Sequence, residues 1–249
     1  MKSESENQEE SIKLYRTGEH PCSYLPGQQA RTLFLDPELH FNRSLYEQLT
    51  HLGFRRSGMH LYRPDCESCG ACMPTRVRVA SFRPKRRFRR VLKANSDLDI
   101  RVVPCQYSRE HYRLYERYIS QRHRNGDMYP PSPDAYRDFL TSRSDLSFIM
   151  EFRKDGVLLA SAFTDRLVTG LSATYTCFEP EEDARSLGTF AILSQIQYCQ
   201  SQQLPFLYLG YWVPGSQQMH YKADFQPMEL LINRQWRPLG EDLIRSLTD

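Results

Sequence analysis

The chain has 249 residues, of which 40% are hydrophobic and 25% are charged, as in an ordinary globular protein. No apolar run reaches the roughly 20 residues that a membrane span needs. The first ten residues are polar and acidic and lack the apolar stretch of a signal peptide. Because the seven cysteines are also an odd number, we expect a cytoplasmic protein without disulfides and without a membrane segment.

The first hundred residues predict a small unit of short strands and helices. Residues 76–79 alternate polar and apolar side chains, as a half-buried strand does. Ser44 is the predicted cap of the first helix, and Gly53 is its predicted end. In chain order we expect strands over 31–36, 54–62 and 76–82, with a helix over 45–52 after the first of them and a basic helix that opens at Pro84.

The rest of the chain predicts a larger mixed sheet, because Gly156 and the Thr169-Gly170 pair mark turns between antiparallel strands. We expect strands over 100–103, 147–153, 157–167, 171–178, 205–210 and 228–232, and helices over 108–123, 134–140, 187–202 and 239–247. This order resembles the GNAT acyltransferase fold, which holds an acyl donor at the N-terminus of its central helix. The predicted fold is therefore α/β (α+β), with a smaller cysteine-containing domain at 1–100 and a GNAT-like domain at 101–249.

Cys66, Cys69 and Cys72 follow one another at three-residue steps. Thiolates with this spacing can converge on one metal ion or iron–sulfur cluster. The bacterial ferredoxin pattern would need a fourth cysteine at position 76, which is Arg76, so Cys22 is the nearest upstream candidate. The pattern favours either a zinc or iron–sulfur site formed by these four cysteines or a cysteine-rich structural loop.

Seven cations without an acidic residue among them lie between Arg83 and Lys93. A basic segment in a chain with 15 tyrosines and 13 phenylalanines favours a nucleic-acid partner, although a solvated helix face would show the same charges. The cations are Arg83, Lys85, Arg86, Arg87, Arg89, Arg90 and Lys93.

Residues Arg185, Ser186 and Gly188 open the central helix, where free N–H groups and the helix dipole suit a phosphate. The turn resembles the Arg/Gln-x-x-Gly-x-Gly/Ala signature of coenzyme A-binding members of the fold. It departs from that signature at Phe190, whose bulk we expect to crowd a coenzyme A pyrophosphate. An ordinary structural loop is the alternative, since Arg-x-x-Gly is common.

Longer motifs resemble the aminoacyl-tRNA–protein transferases, in the short bacterial branch of aspartate/glutamate leucyltransferases. In the second half of the chain these motifs are Thr164-Asp165, Gly170–Tyr175, Phe178–Pro180, Arg185–Gly188, Leu207–Trp212, Tyr221-Lys222 and Phe225–Pro227. In the first half they are Pro21–Pro26, Ala30-Arg31, Phe54–Ser57, Tyr62–Pro64 and Cys72–Pro74.

The resemblance implies that leucine is moved from leucyl-tRNA to the α-amine of proteins that begin with Asp or Glu. The product would carry an N-terminal leucine, which is a degradation signal. The donor end would be a terminal adenosine with its 5′ phosphate. No cofactor is required for such a transfer, but eukaryotic relatives are thought to bind an iron–sulfur cluster through front-domain cysteines.

Under this resemblance Asp165, Tyr175 and Tyr211 are the candidates for proton handling and orientation, and backbone N–H groups beyond Tyr208 are candidates for the oxyanion contact. Arg185 and Lys222 are candidate cations for phosphate or for the acceptor's acidic side chain. Candidates for the terminal adenine are Tyr208, Tyr211 and Trp212, and those for the tRNA acceptor stem are Arg86, Arg87 and Arg90, with Arg31, Arg55 and Arg56 as further contacts.

Three alternatives stay open at this point. They are an arginyl-tRNA-dependent transferase, a coenzyme A-dependent N-acetyltransferase, and a non-enzymatic metal or iron–sulfur RNA-binding module. The expected partners are leucyl-tRNA and acceptor proteins, and a monomer is the simplest assembly.

Overall fold

A computed structural model of the chain describes residues 12–248. The strands are β1 Leu14–Arg16, β2 His20–Pro21, β3 Gln29–Ala30, β4 Thr32–Leu35, β5 Arg55–Ser57, β6 His60–Pro64, β7 Met73–Arg78, β8 Asp99–Pro104, β9 Ser147–Lys154, β10 Val157–Arg166, β11 Gly170–Phe178, β12 Phe206–Trp212, β13 Met228–Ile232 and β14 Gln235–Pro238. The helices are α1 Arg43–His51, α2 Arg86–Ala94, α3 Arg109–Arg122, α4 Pro133–Tyr136, α5 Leu187–Ser201, α6 Gln217–His220 and α7 Glu241–Thr248.

An eight-stranded sheet in the order β14-β13-β7-β12-β11-β10-β9-β8 forms the centre of the molecule. Its middle strands β9, β10 and β11 are antiparallel, and β11 and β12 are parallel with α5 as their crossover. The predicted mixed α/β class and the predicted order β–β–β–α–β are therefore confirmed. The Asp155-Gly156 pair, with φ of 49° and 82°, makes the tight turn between β9 and β10.

The boundary predicted between residues 100 and 101 does not separate two sheets. β7, from the first hundred residues, lies between β12 and β13 and pairs with both of them. A smaller four-stranded sheet, in the order β1-β4-β6-β5, does belong to the front of the chain. Both parts of the sequence therefore build the large sheet.

Three groups of buried side chains surround the large sheet. On one face α5 and α2 cover a core that includes Phe148, Phe190 and Ile196. On the opposite face α3 covers a second core, and α1 with the small sheet covers a third. Alternating residues of β9 show the two faces, because Phe148 points to the first core and Ile149 to the second.

Several predicted elements differ in detail from those observed. The cap of α1 is Asn42, whose side chain accepts from the N–H of Leu45, so the helix begins earlier than a Ser44 cap would allow. The single strand predicted over 54–62 is the hairpin of β5 and β6. Its turn contains Gly58, where a Cβ would lie 2.7 Å from the carbonyl oxygen of Asp138. The helix predicted over 134–140 is the short α4 followed by a π-helical turn.

Among the described residues, no helix has both the length and the apolar character needed to cross a membrane.

Candidate active site

The parallel strands β11 and β12 pair only at their beginnings. Three residue pairs connect them, from Gly170–Phe206 to Ser172–Tyr208. Beyond this point β11 continues to Phe178 and β12 to Trp212, but the two strands no longer pair with each other. We call the space between residues 173–178 and 209–212 the β11–β12 opening. Open α/β sheets bind ligands beyond the carboxyl ends of such parallel strands, so this opening is the candidate donor site.

The start of α5 lies where β11 ends. Ser186 is its cap residue with a left-handed φ of 52°, no side chain caps the helix, and its first turn has no acidic residue. Among the described residues, the first backbone N–H groups of α5 therefore have no side-chain acceptor. These groups form the positive end of the helix dipole. The ring of Phe178 lies 3.4 Å from where a Cβ at Gly188 would stand, so it covers the start of the helix at ordinary contact distance.

Two residues expected at this turn have other roles. Phe190 is 4% exposed and packs against Phe152 in the core, so its bulk does not face a ligand and cannot discriminate against coenzyme A. The guanidinium of Arg185 donates to both carboxylate oxygens of Asp97 at 2.8 and 2.9 Å, to Glu182 and to the carbonyl of Ala94. Arg185 thus joins the end of α2 to the start of α5, and four of its five N–H donors are engaged there.

Asp165 is completely enclosed, and both of its carboxylate oxygens are occupied. Arg56 donates to the two oxygens at 2.7 Å each, Ser147 donates at 2.5 Å and Tyr46 at 3.0 Å. Burial acts to raise the pKa of Asp165, but the charge and hydrogen bonds of Arg56 outweigh it and hold the pKa below its usual value. With both oxygens engaged in this way, the geometry of Asp165 suits the orientation part of its expected role better than proton transfer. It likewise removes Arg56 from the candidate tRNA contacts.

The aromatic candidates lie deeper than expected. Tyr208 is fully buried and forms a hydrogen bond with His51, and Trp212 is 1% exposed, so neither ring has a face free for adenine. Tyr175 packs against Tyr115 and Phe139 on the α3 side of the sheet, and its buried hydroxyl has no partner among the described residues. Burial raises the pKa of Tyr175.

Lys222 and Tyr211 meet at an irregularity of β12 beside the opening. The register with β7 shifts between Tyr208 and Tyr211, and Gly210 has a left-handed φ of 76°. The Nζ of Lys222 donates to the carbonyl of Tyr211 at 2.7 Å and would lie 3.6 Å from a Cβ at Gly210. The hydroxyl of Tyr211 donates to the carbonyl of Gly53 at 2.8 Å, which fixes its ring.

Arg55 is the second cation at this bulge. It is 4% exposed, and its Nη2 lies 3.5 Å from the carbonyl oxygen of Gly210. Burial, together with the charge of Arg55, lowers the pKa of Lys222 to about 7. The sequence named Arg55 only as a tRNA contact and did not single out Gly210. A glycine inside an aromatic strand pattern is the signal that indicates such a bulge.

The cysteines of the front region are close but do not form a ligand set. Burial, followed by the neighbouring Cys22, Cys66 and Cys69, raises the pKa of Cys72 to about 12. Part of this shift is the mutual repulsion of the four neighbouring thiolates, which a bound cation would remove. Across residues 12–248 no group of three or more His, Cys, Asp or Glu side chains is arranged to hold a metal ion. In the described residues the four cysteines therefore lie near one another without the convergent arrangement of a ligand set.

The basic helix α2 lies against α5 through Phe88, with its arginines on the exposed side. Arg87 is paired with Asp224, whereas Arg86 and Arg90 have no carboxylate within 4.0 Å in the part of the chain that the structure describes. At its far end the side chain of Asn95 donates to the carbonyl of Arg185 at 2.8 Å, beside the start of α5. The exposed cations thus lead along α2 towards the β11–β12 opening.

The family model described as "Arginine-tRNA-protein transferase, N terminus" matches residues 20–90, and its C-terminal counterpart matches residues 110–232. The aspartate/glutamate leucyltransferase of Marinobacter nauticus is 50% identical over 232 residues, which cover 93% of this chain and 98% of that protein. The protein of the same name from Pseudomonas fluorescens (strain Pf0-1) is 52% identical over 225 residues, which cover 90% and 96%. By its similarity to known families the chain is an aminoacyl-transferring enzyme.

The chain therefore belongs to the aminoacyl-tRNA–protein transferase family, among the aspartate/glutamate leucyltransferases. Of the solved structures, the C-terminal domain (DUF2156) of a putative lysylphosphatidylglycerol synthetase from Agrobacterium fabrum aligns with a TM-score of 0.48 and 16% identity. That alignment covers 82% of this chain and 68% of that one.

Proposed function

We propose that this enzyme transfers leucine from leucyl-tRNA to the N-terminal α-amine of proteins that begin with Asp or Glu. The observation that carries the proposal is the β11–β12 opening, with the uncapped start of α5 on one side and Lys222 at the β12 bulge on the other. The first can hold the phosphate of a terminal nucleotide, and the second offers a cation near the acceptor.

The reaction is the aminolysis of an ester. The amine nitrogen attacks the leucyl carbonyl, an amide bond forms, the ester C–O bond breaks, and the tRNA hydroxyl leaves with a proton. An aminoacyl ester is already activated, so holding the two substrates in register supplies most of the rate and requires no further cofactor. Backbone N–H groups of β12 beyond Tyr208, which do not pair with β11, are the proposed contacts for the developing oxyanion.

The proposed roles of the site residues follow their positions. Tyr211 acts through its carbonyl, which orients Lys222, and Tyr175 is the hydroxyl candidate for orientation near the opening. Asp165 holds the guanidinium of Arg56 in place and thereby fixes the position of β5 beside the site. We propose that Arg86 and Arg90 contact phosphates of the acceptor stem, while Arg87 is held by Asp224 until tRNA competes for it.

A transfer assay tests the proposal. Purified protein is incubated with radiolabelled leucyl-tRNA or arginyl-tRNA and a peptide that begins with Asp, and with acetyl-CoA in a parallel reaction. We expect label from leucyl-tRNA on the peptide, and none from the other two donors. Transfer from acetyl-CoA alone would contradict the proposal, and transfer from arginyl-tRNA would correct the donor.

For Cys22, Cys66, Cys69 and Cys72 we propose a structural or regulatory role beside the tRNA site, with a zinc or iron–sulfur site as the alternative. Anaerobic purification followed by iron, sulfide and zinc analysis separates the two. Stoichiometric metal in the active protein would favour the alternative, and a metal-free protein with full activity would favour the structural role.

A further inference from the structure

Arg55 and Lys222 are two buried cations without a counter-ion, and we refer to them as the cation pair. They are 4% and 7% exposed. Arg55 donates only to the carbonyls of Phe54 and Gly210, at 3.2 and 3.5 Å, and its buried Nε has no partner. Lys222 has three donors and uses one of them, on Tyr211. In residues 12–248 no carboxylate lies within 4.0 Å of either cation.

Other buried cations of the molecule are neutralised. Arginine or lysine is buried at Arg55, Arg56, Arg76, Arg143 and Lys222 among the described residues. Arg56 pairs with Asp165, Arg76 with Glu229, and Arg143 with Asp145. A buried unpaired charge is costly, so folded proteins pair or solvate such groups. Arg55 stays charged and unpaired there, and Lys222 can relieve its own cost only by losing a proton, which indicates that an anion is missing at this place.

Aromatic rings compensate the pair only in part. The guanidinium carbon of Arg55 lies 5.4 Å from the ring centre of Tyr208 and 5.9 Å from that of Tyr211. Such contacts supply about 0.5–2 kcal/mol and no negative charge. Burial has already pushed the pKa of Lys222 down to about 7, and an anion would reverse this shift by favouring the charged form.

The surroundings favour a carboxylate over a phosphate as the missing anion. Both cations are more than nine-tenths buried, so a slender side chain would reach them more readily than a phosphodiester flanked by two riboses. The phosphates of tRNA already have exposed, unpaired cations on α2, at Arg86 and Arg90. The pair also meets at Gly210, in the part of β12 that borders the β11–β12 opening.

We propose that Arg55 and Lys222 bind the side-chain carboxylate of the acceptor's first residue and thereby select Asp and Glu over their amides. This inference rests on the proposed leucyl transfer. A site built around two buried cations rejects a neutral amide because the cations would stay unpaired, and polar discrimination of this kind reaches about 10⁴-fold in other enzymes.

The test compares peptides that begin with Asp or Asn and are otherwise identical, with leucyl-tRNA as donor. For the unmodified enzyme we expect kcat/KM to favour the Asp peptide by about 100-fold or more. In Arg55→Gln and Lys222→Met this ratio should fall to about tenfold or less, through a higher KM for the Asp peptide and an unchanged KM for leucyl-tRNA. A ratio that survives both substitutions would overturn the proposal.

Two controls make the result specific. Arg143→Gln removes a buried cation whose partner Asp145 is 61% exposed, so it should keep the preference for Asp. Arg90→Gln should raise the KM for leucyl-tRNA without changing the preference. If Arg55→Gln instead raised only the KM for leucyl-tRNA, the anion would be a tRNA phosphate and the proposal would be wrong.

Stability and direct binding provide two further readouts. Arg55→Gln leaves no buried anion behind, so its melting temperature should stay within about 3 °C of the unmodified protein. Equilibrium binding of a fluorescent Asp peptide, at least tenfold tighter than the Asn peptide, should be lost in the same variant. If no leucine is transferred but this binding difference is present, the proposed function fails and the carboxylate site stands. Equal binding of the two peptides would overturn the site.

Discussion

Arg55 and Arg56 are neighbours on the three-residue strand β5, and both are buried, yet they have opposite electrostatic surroundings. Arg56 reaches Asp165 through a two-pronged ion pair that connects α1, β5, β9 and β10. Arg55 reaches no carboxylate among the described residues. Since side chains alternate along a strand, adjacent arginines face opposite directions and meet different partners. One stabilises the fold, and the other is free for an anion.

Asp165→Asn tests the structural side of this contrast. Removing one partner of a buried pair leaves the other charge uncompensated, so we expect unfolding in urea to lose about 3–5 kcal/mol. Asp99→Asn is the matched control, because Asp99 and its partner Arg101 are both more than half exposed and the loss of this pair should cost under about 1 kcal/mol. An Asp165→Asn protein with normal stability and no transfer would instead indicate a direct catalytic role.

The Arg56–Asp165 pair makes the free energy of unfolding depend on pH, and the lowered pKa of Asp165 determines the direction. The folded-state pKa of Asp165 is lowered, because Arg56 outweighs the opposing effect of burial. Its contribution to stability is therefore present above the unfolded pKa of about 3.9 and is lost as pH falls through the folded-state pKa. The difference in free energy of unfolding between the unmodified protein and Asp165→Asn should be constant from about pH 7 to 5 and shrink below about pH 4. A difference that grows in acid would contradict this.

At the scale of elements, α2 is attached at both ends to the two sides of the candidate site. Near its start Arg87 pairs with Asp224 and Phe88 stacks on Phe225 at 4.7 Å, beside the turn that carries Lys222. At its end Arg185 bonds the carbonyl of Ala94 and both oxygens of Asp97. A tRNA that binds the exposed face of α2 would therefore contact an element that supports both the donor and the acceptor side.

Arg90→Gln and Arg86→Gln test the tRNA face of α2. Each phosphate contact contributes nearly one unit to the slope of log affinity against log salt, so each substitution should reduce that slope by about one. Arg185→Gln should leave the slope unchanged, because its guanidinium is occupied by carboxylates. Filter binding of leucyl-tRNA between about 50 and 200 mM salt measures the slope, and a drop for Arg185→Gln would restore it as a phosphate ligand.

For the whole molecule, the large sheet depends on β7 from the front of the chain. β7 lies between β12 and β13, and its Val77 is fully buried in the first core. Arg76 of β7 forms an ion pair with Glu229 of β13. Among the described strands, β13 and β14 are therefore hydrogen-bonded to the rest of the large sheet through β7, a strand that precedes residue 100.

A fragment of residues 101–249 tests this dependence. Without β7, strand β12 would present an unpaired apolar edge, so we expect the fragment to aggregate or to unfold without cooperativity. Adding back residues 1–100 by co-expression should restore a single soluble complex. Size-exclusion chromatography and circular dichroism report both outcomes, and a monomeric fragment with a cooperative melt would support two independent domains.

The sequence predicted most helices and strands because the signals that specify them lie within the elements or in the turns beside them. As predicted, turns at Gly156 and at Thr169-Gly170 separate β9, β10 and β11, and α3 lies within the helix expected over 108–123. The predictions were wrong where contacts between residues far apart in the sequence determine the local structure. The sequence did not predict the hairpin of β5 and β6, whose turn at Gly58 packs against the backbone of Asp138. Distant partners also surround Arg185, which pairs with Asp97, and Phe190, which packs on Phe152.

The sequence by itself determined the family, the mixed α/β class, the basic face of α2 and the start of α5, since each depends on residues that are close along the chain. Only the tertiary structure decided which charges are neutralised. Asp165 and Arg56 are 109 residues apart, and Arg55 and Lys222 come from opposite ends of the chain to the same bulge. Burial and ion pairing are properties of the assembled core, so a linear pattern cannot separate a structural cation from one that awaits an anion.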